Sequence, residues 1–228
     1  ADEHKYLDSY LSKSVIGTRA LSSVLVKGKT DGSGIKVTTY NITYCTTGMY
    51  QNALATAGIE DAEIVVAGPY NISGTAALVG AIKSYENMTG ETVSQENVDT
   101  ATNELVVTGK LAESVGDSDK AEQLVGAVKE QVVEGSDNGK ELTEEEIGNV
   151  VDQAAQEMDV QLSDEDRQEI VDLMDKIKGL DIDVDSLKEQ AKDLYDKIDD
   201  LGLKLDWNQE KVQGFFSKII EFFKNLFS

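Results

Sequence analysis

Apolar and polar residues alternate over two short stretches near the beginning of the chain. Residues 21–26 and residues 35–42 are rich in valine, isoleucine, leucine and threonine, and residues 30–34 between them read Thr-Asp-Gly-Ser-Gly. Alternation with β-branched side chains is typical of half-buried strands, and glycine with aspartate and serine is typical of turns. The pattern therefore predicts two strands joined as a β-hairpin.

The spacing of apolar residues then becomes helical and afterwards returns to that of a strand. Four apolar residues recur at helical spacing: Met49, Ala53, Leu54 and Ala57. Gly58 follows them as a stop signal, and residues 63–67 form a short apolar run typical of a buried strand. Because a strand, helix, strand order places its two strands parallel, we expect a mixed sheet. Its strands lie near residues 20–28, 34–43 and 62–68, and the last two are parallel.

Beyond the third strand the pattern is mainly helical. Ser73 is expected to be the N-cap of one helix, and Ser94 begins another, whose β-branched residues 105–109 fit a helix less well. Capping signals at residues 143–146 and 163–166 start two further helices. A seam with alternating spacings of four and three residues then predicts helices that pack nearly antiparallel: Leu187, Ala191, Leu194, Ile198 and Leu201.

The C-terminal segment carries the most apolar helical pattern. Its wide stripe and the phenylalanine beside it comprise Val212, Phe215, Phe216, Ile219, Ile220, Phe222, Phe223, Leu226 and Phe227. We expect this helix to bury the stripe against the protein or a second copy of it, which would make an oligomer. A partner protein on the surface formed by Phe215, Phe216, Phe222 and Phe223, and a membrane interface, are the alternatives.

Together these patterns predict an α/β (α+β) fold: a small mixed β-sheet with covering helices, followed by an acidic all-helical region. Residues 1–115 would form the sheet domain, residues 116–205 the acidic helical region and residues 206–228 the amphipathic aromatic helix. The start at Ala1-Asp2-Glu3 suits a processed or trimmed product as well as a cytosolic protein.

The charge of the chain excludes one class of partner. Of its 228 residues, 43 are acidic and 21 basic, a formal net charge of −22, and most of the negative excess lies beyond residue 110. No basic face is available to neutralise a phosphate backbone, so nucleic-acid binding is not expected. One histidine, His4, and one cysteine, Cys45, exclude a Cys/His zinc site, a CxxC redox pair and an internal disulfide.

The segment with the strongest resemblance to a binding site is Ser73, Gly74 and Thr75, which lies between a strand and a helix. Exposed amides at a helix start can hold an anion. The glycine spacing differs from that of a phosphate loop and no lysine precedes Thr75, so nucleotide binding is disfavoured. The alternative is that these residues serve only the turn and close helix packing.

An acidic run resembles the start of a calcium loop. Asp181, Asp183 and Asp185 alternate as calcium ligands do, but Ser186 stands at the sixth position and Lys192 at the twelfth, where a loop needs glycine and glutamate. We therefore expect no bound metal and no cofactor. Helix capping by Asp185 or Ser186 is the alternative explanation.

The sequence shows no catalytic constellation. A serine or Cys45 nucleophile needs a positioned base, and the only histidine is close to the chain start. Cys45 is expected to be a small core residue. With 43 acidic residues, a pair of carboxylates at the separation a glycosidase needs carries no information.

Several ordered blocks of sequence resemble the YpuA-like family of exported Firmicute proteins of unknown function. The blocks lie at residues 6–7, 15–23, 34–35, 40–43, 49–58, 73–78, 103–109 and 179–185, and the resemblance spans about residues 4 to 200. It implies export and a role at or outside the cell surface, with no established activity, cofactor or catalytic residue. It also implies a further segment before Tyr6-Leu7, so we expect the sheet domain to be trimmed at its N-terminus.

We therefore expect a non-enzymatic protein-interaction module, extracellular or at the cell surface of a Gram-positive bacterium. Its partner is a protein of unknown identity, and a host protein such as an immunoglobulin is one candidate. The alternative is an envelope-associated hydrolase or a regulator of cell-wall metabolism. A deep cleft lined by carboxylates would favour the hydrolase, and an exposed apolar patch would favour the binding module.

Overall fold

The computed structural model describes residues 20–30, 32–137, 142–180, 182, 183 and 187, all within one compact unit. These residues form three strands and six helices. The elements are β1 Ser23–Gly28, β2 Ile35–Ile42, α1 Thr47–Thr56, β3 Ala62–Ile72, α2 Thr75–Thr89, α3 Gln95–Val115, α4 Ser118–Asp137, α5 Glu144–Glu157 and α6 Asp164–Ile177. The predicted α+β class is confirmed.

The three strands form one mixed sheet in the order β1-β3-β2. β3 runs parallel to β2, with Val37 opposite Ile64, and antiparallel to β1, with Val26 opposite Ile64. The predicted strand positions and the parallel pair are confirmed, and α1 is the crossover between β2 and β3.

The predicted hairpin between β1 and β2 is wrong, because β3 lies between them. Residues 29–34 are long enough to pass over the end of the central strand. The glycine and serine residues of this loop bind the residue just before β3. The Asp61 carboxylate accepts hydrogen bonds from the amides of Gly32, Ser33 and Gly34 at 2.7 to 3.1 Å. A central strand pairs along both edges, and the valine- and isoleucine-rich β3 suits that position.

Two helices cover one face of the sheet. Apolar residues at every second position of β2 and β3 are buried there: Ile35, Val37, Ala62, Ile64 and Val66. α1 packs against β2, and α2 packs against β1. A Cβ at Gly80 would lie 3.3 Å from Val24 Cγ2, so this glycine lets α2 approach β1 closely.

The remaining helices form a layer beyond α1. α3 contacts α1, α4 and α6, and α4 contacts α5 and α6. Residues 105–109 are helical despite their β-branched side chains, because Leu105, Val106 and Val107 are buried in this layer and burial outweighs propensity. Both capping boxes are confirmed, Thr143 with Glu146 and Ser163 with Asp166.

The three-part division of the chain stays a prediction. The boundary at residue 115 falls between α3 and α4, which pack against each other. The helical seam beyond Leu187 and the aromatic stripe of residues 212–227 lie outside the described residues.

Candidate interaction surface

The second face of the sheet exposes apolar side chains, and no helix among the described residues covers them. Leu25 is 65% exposed and Tyr40 is 58% exposed, the largest values for large apolar side chains in the described part of the chain. Val65 and Ala67 on β3 are half-buried and lie between them, because Leu25 pairs with Val65 and Tyr40 pairs with Ala67. Residues paired across a sheet have adjacent side chains, so these four form one continuous apolar patch.

Lysines border this patch at one end of the strands. Lys27 and Lys36 both pair with Glu63 of β3, one from each side. Lys29 forms a salt bridge with the same Glu63 carboxylate, and Lys27 Nζ lies 4.0 Å from it. A hydrogen bond from Lys29 and the charges of Lys29, Lys27 and Lys36 lower the pKa of Glu63. The open face, defined here as Leu25, Tyr40, Val65, Ala67 and the row Lys27, Glu63, Lys36 with Lys29 beside it, thus has an apolar centre and a basic end.

The opposite end of the sheet carries a bulge. Tyr40 pairs with Ala67 but Ile42 pairs with Ile72, so residues 68–71 form an excursion in β3. The Asn41 side chain donates a hydrogen bond to the Gly68 carbonyl at 2.9 Å, and Asn41 itself has a φ of 55°. The excursion exposes Tyr70. β-bulges commonly re-aim side chains at the edge of a site.

The predicted segment Ser73, Gly74 and Thr75 lies at the start of α2, where the sequence placed it. Gly74, with a φ of 90°, is the N-cap, so the prediction that Ser73 caps α2 is wrong. The Gly74 carbonyl accepts a hydrogen bond from Tyr50 Oη at 2.6 Å, and the Ser73 carbonyl accepts one from the Cys45 amide at 3.1 Å. A Cβ at position 74 would collide with Tyr50 Oη and would lie 2.6 Å from Ile42 Cγ2, so the cap has room only for glycine. Anion binding at the segment stays a prediction.

Cys45 and Tyr50, behind this segment, are buried. Burial raises the pKa of the Cys45 thiol to about 12, opposed in part by a hydrogen bond with Tyr50, and burial also raises the pKa of Tyr50. Both groups are therefore neutral at physiological pH, and a protonated thiol is a poor nucleophile. The prediction that Cys45 is a small core residue is confirmed.

A buried ion pair joins α1, α3 and α4. Lys129 Nζ lies 2.9 Å from Glu104 Oε1, 2.8 Å from the Asn52 carbonyl and 3.3 Å from Thr56 Oγ1. The Thr56 hydroxyl donates to Glu104 Oε2 at 2.5 Å. The Glu104 and Lys129 side chains are 0% and 3% exposed. Because all three ammonium protons have an acceptor and solvent is excluded, we infer that the cluster stabilises the packing of these three helices; we call it the lock.

Asp61 supplies a prediction about acid stability. Desolvation raises the pKa of Asp61, but hydrogen bonds from the Gly34, Gly32 and Ser33 amides and the Ser33 hydroxyl outweigh it, so the pKa is lowered. A lowered folded-state pKa stabilises the protein above about pH 4, the unfolded value, and this stabilisation is lost as the pH falls through the folded-state pKa. We expect Asp61→Asn to reduce the free energy of unfolding by about 1 kcal/mol at pH 7, discounted for solvent exposure, and by less at pH 3.

Urea unfolding of both proteins between pH 3 and pH 7 measures this difference. Asp99→Asn is the matched control, because Asp99 is an exposed aspartate on α3. An Asp61→Asn effect of equal size at both pH values would show that the carboxylate charge is not what holds the loop.

Several sequence predictions lie on or near residues that are not described. Asp181 and Asp185 of the calcium prediction, His4, and the candidate surface of Phe215, Phe216, Phe222 and Phe223 are among them. In the described ranges, no three or more His, Cys, Asp or Glu side chains are grouped so that they could hold a metal ion. None of the helices described between residues 47 and 177 has the length and apolar character needed to cross a membrane.

The open face was missed in the sequence, although part of its signal is there. Lys36, Thr38 and Tyr40 alternate with Ile35 and Val37, which places the first three on one face of β2. The sequence does not show whether helices cover that face. The cluster of Glu104, Lys129, Thr56 and Asn52 leaves no local signal in the sequence, because its residues come from three separate helices.

Comparisons with known proteins identify relatives of unknown function. The profile of a family described as "Protein of unknown function (DUF1002)" matches residues 1–194. The chain is 39% identical over 189 residues to "Uncharacterized protein YpuA" of Bacillus subtilis (strain 168), which covers 83% of this chain and 64% of that protein. The chain thus spans less than two thirds of this relative's length. No solved structure matches the chain.

Proposed function

This chain belongs to the DUF1002 family of proteins of unknown function, and from that premise we propose that it is a protein-interaction module that binds its partner on the open face. The resemblance to a YpuA-like family is thereby confirmed. The observation that carries the proposal is the exposed apolar centre formed by Leu25 and Tyr40 on a sheet whose other face is covered by helices. A contiguous exposed apolar patch with a polar border is typical of binding surfaces.

We further propose that the module is non-enzymatic and acts outside, or at the surface of, a Gram-positive cell. The similarity to a protein of Bacillus subtilis supports a Gram-positive source. The burial of Glu104, Lys129 and Cys45 supports a binding role, because side chains of these types could act as acid, base or nucleophile but here do not reach solvent. A host protein, immunoglobulin included, is one partner class that fits a surface location.

Leu25→Ser and Tyr40→Ser test the proposal directly. Each removes an apolar side chain that a partner would bury, and burying such a side chain is worth roughly 1.5 to 3 kcal/mol. We expect each substitution to reduce capture of the partner by at least about tenfold, with little change in melting temperature because both positions are exposed. The immobilised variants are incubated with cell-envelope extract and with host fluid, and captured proteins are quantified by mass spectrometry.

Met88→Ser is the control, because Met88 is an exposed apolar residue on α2 rather than on the open face. Its Sδ accepts a hydrogen bond from the Gly28 amide of β1 at 3.2 Å, so the melting temperature of this variant is compared as well. A photo-crosslinking amino acid at position 25 should form an adduct with the captured protein, and the same amino acid at exposed Gln156 should not. Capture that is equal for Leu25→Ser, Tyr40→Ser and the parent would contradict the proposal.

A further inference from the structure

The basic end of the open face has an excess of positive charge. Three lysines share one carboxylate there: Lys27 and Lys29 are salt-bridged to Glu63, and Lys36 pairs with it across the strands. The Lys27 side chain is 69% exposed. In a chain with a formal net charge of −22, the row Lys27, Glu63 and Lys36 with Lys29 has two more positive than negative charges, and the Asp61 carboxylate just before β3 offsets one of them.

Three other cations of the described chain each have one acidic partner, whereas Lys120 and Lys176 bond the neutral Asp159 carbonyl and Asn103 Oδ1. Lys110 lies 2.6 Å from Glu169, and Lys178 lies 2.7 Å from Asp175. Arg167 makes a forked contact with the Asp152 carboxylate at 2.6 and 2.8 Å. The three lysines around the single Glu63 carboxylate thus differ from these one-to-one ion pairs.

This surplus argues against a second copy of the chain on the same face. Two open faces packed together would bring both groups of lysines to one interface, and like charges in contact are unfavourable. A partner with carboxylates at the matching position would instead neutralise the surplus.

The dimensions of the face fit one helix. Neighbouring strands lie about 4.8 Å apart, so the outer strands of a three-stranded sheet are separated by about 10 Å, the diameter of a helix with its side chains. Along β2 the face extends from Lys36 to Tyr40, roughly 13 Å at about 3.3 Å per residue, which is two to three helical turns. Along β1 the distance from Leu25 to Lys27 is about 7 Å. The covered face of the same sheet already packs against helices α1 and α2.

We propose, building on the function proposed above, that the partner presents an acidic amphipathic helix to the open face. Apolar side chains at spacings of three and four residues pack on Leu25, Tyr40 and Val65. Carboxylates at one end of that helix contact Lys27, Lys29 and Lys36. The charge pattern thereby fixes the direction of the helix on the sheet.

A pair of synthetic peptides tests this charge requirement. Both are 14-residue amphipathic helices with the same leucine stripe; one carries glutamates beside the stripe at one end, and the other carries glutamines at those positions. Each peptide is titrated into the full chain, and the amide chemical shifts of the protein are followed. The glutamate peptide should change the shifts of Leu25, Tyr40 and Val65. It should bind about tenfold more tightly than the glutamine peptide, and salt should reduce this difference.

Charge reversal tests the protein side of the same contact. Lys27→Glu combined with Lys36→Glu should weaken the glutamate peptide about tenfold, whereas Lys120→Glu, on α4, should leave its affinity unchanged. Equal binding of the two peptides, or no effect of the reversal, would overturn the inference. Binding to vesicles of anionic phospholipid that the reversal abolishes, without peptide binding, would overturn it in favour of a membrane.

Failure of this inference and failure of the proposed function give different results. If Leu25→Ser loses capture of the natural partner and the double lysine reversal keeps it, the proposed binding function is supported and the proposal of an acidic helix as the partner is wrong. If Leu25→Ser and Tyr40→Ser both keep capture, the open face itself is not the binding surface.

Discussion

Glu104→Ala is expected to lower the free energy of unfolding by about 3 to 5 kcal/mol. Removing the carboxylate leaves the Lys129 ammonium, 3% exposed, without its counter-ion and leaves the Thr56 hydroxyl without its acceptor. Breaking a buried ion pair from one side is costly because the remaining charge stays away from water. Lys129→Met should cost a similar amount for the same reason.

The double variant Glu104→Leu with Lys129→Met should be more stable than either single variant. Replacing both members of a buried pair by apolar residues leaves no isolated charge and is often nearly neutral. Urea unfolding of the parent, Glu104→Leu, Lys129→Met and the double variant measures the coupling. A loss below 1 kcal/mol for Glu104→Ala would contradict the interpretation of the cluster as a lock.

The exposed pair Lys110 and Glu169 is the matched control. Its atoms lie 2.6 Å apart, a shorter separation than in the buried pair, but both side chains are partly exposed. Lys110→Met should therefore cost less than about 1 kcal/mol. Burial, rather than the distance between the charged atoms, accounts for the expected difference.

Gly74→Ala is expected to destabilise the protein by about 3 kcal/mol. Gly74 has a φ of 90°, where an L side chain costs roughly 1 to 2 kcal/mol. A Cβ there would also collide with Tyr50 Oη and would lie 2.6 Å from Ile42 Cγ2. Overpacking of this kind adds roughly 1 to 3 kcal/mol.

Gly90→Ala separates the two contributions. Gly90 has a similar φ of 80°, but a Cβ there would meet nothing within 4 Å. We expect it to show only the backbone cost, about 1 to 2 kcal/mol. Thermal unfolding of both variants gives the difference in stability. Equal losses of unfolding free energy would mean that Tyr50 and Ile42 move aside for the new Cβ without an energetic cost.

Local signals in the sequence were sufficient for most elements. Alternation placed β1 and β2, and the capping residues Thr143 and Ser163 placed the starts of α5 and α6. Pairing partners are a long-range property. The turn-like residues 30–34 suggested a hairpin, but the partner of both strands lies beyond α1, and no local signal reports that β3 inserts between them.

The same limit applies to the candidate surface. The alternation around Tyr40 shows that one face of β2 is more polar, but which face the helices cover depends on the handedness of the crossover and on the packing of α2. Gly74 illustrates a second limit. Serine is a favourable N-cap in general, so Ser73 was the reasonable expectation, and only the position of Tyr50 shows why glycine occupies the cap.

The central position of β3 has a consequence for how the chain folds. β1 and β2 are synthesised first, yet each pairs with β3, which begins at Ala62. Until β3 and α1 have been made, β1 and β2 lack the strand with which each pairs in the described sheet. The two apolar segments can then pair most readily with each other. Sheet formation therefore starts late and depends on contacts distant in sequence, which is typical of slow folding and of a need for protection against aggregation.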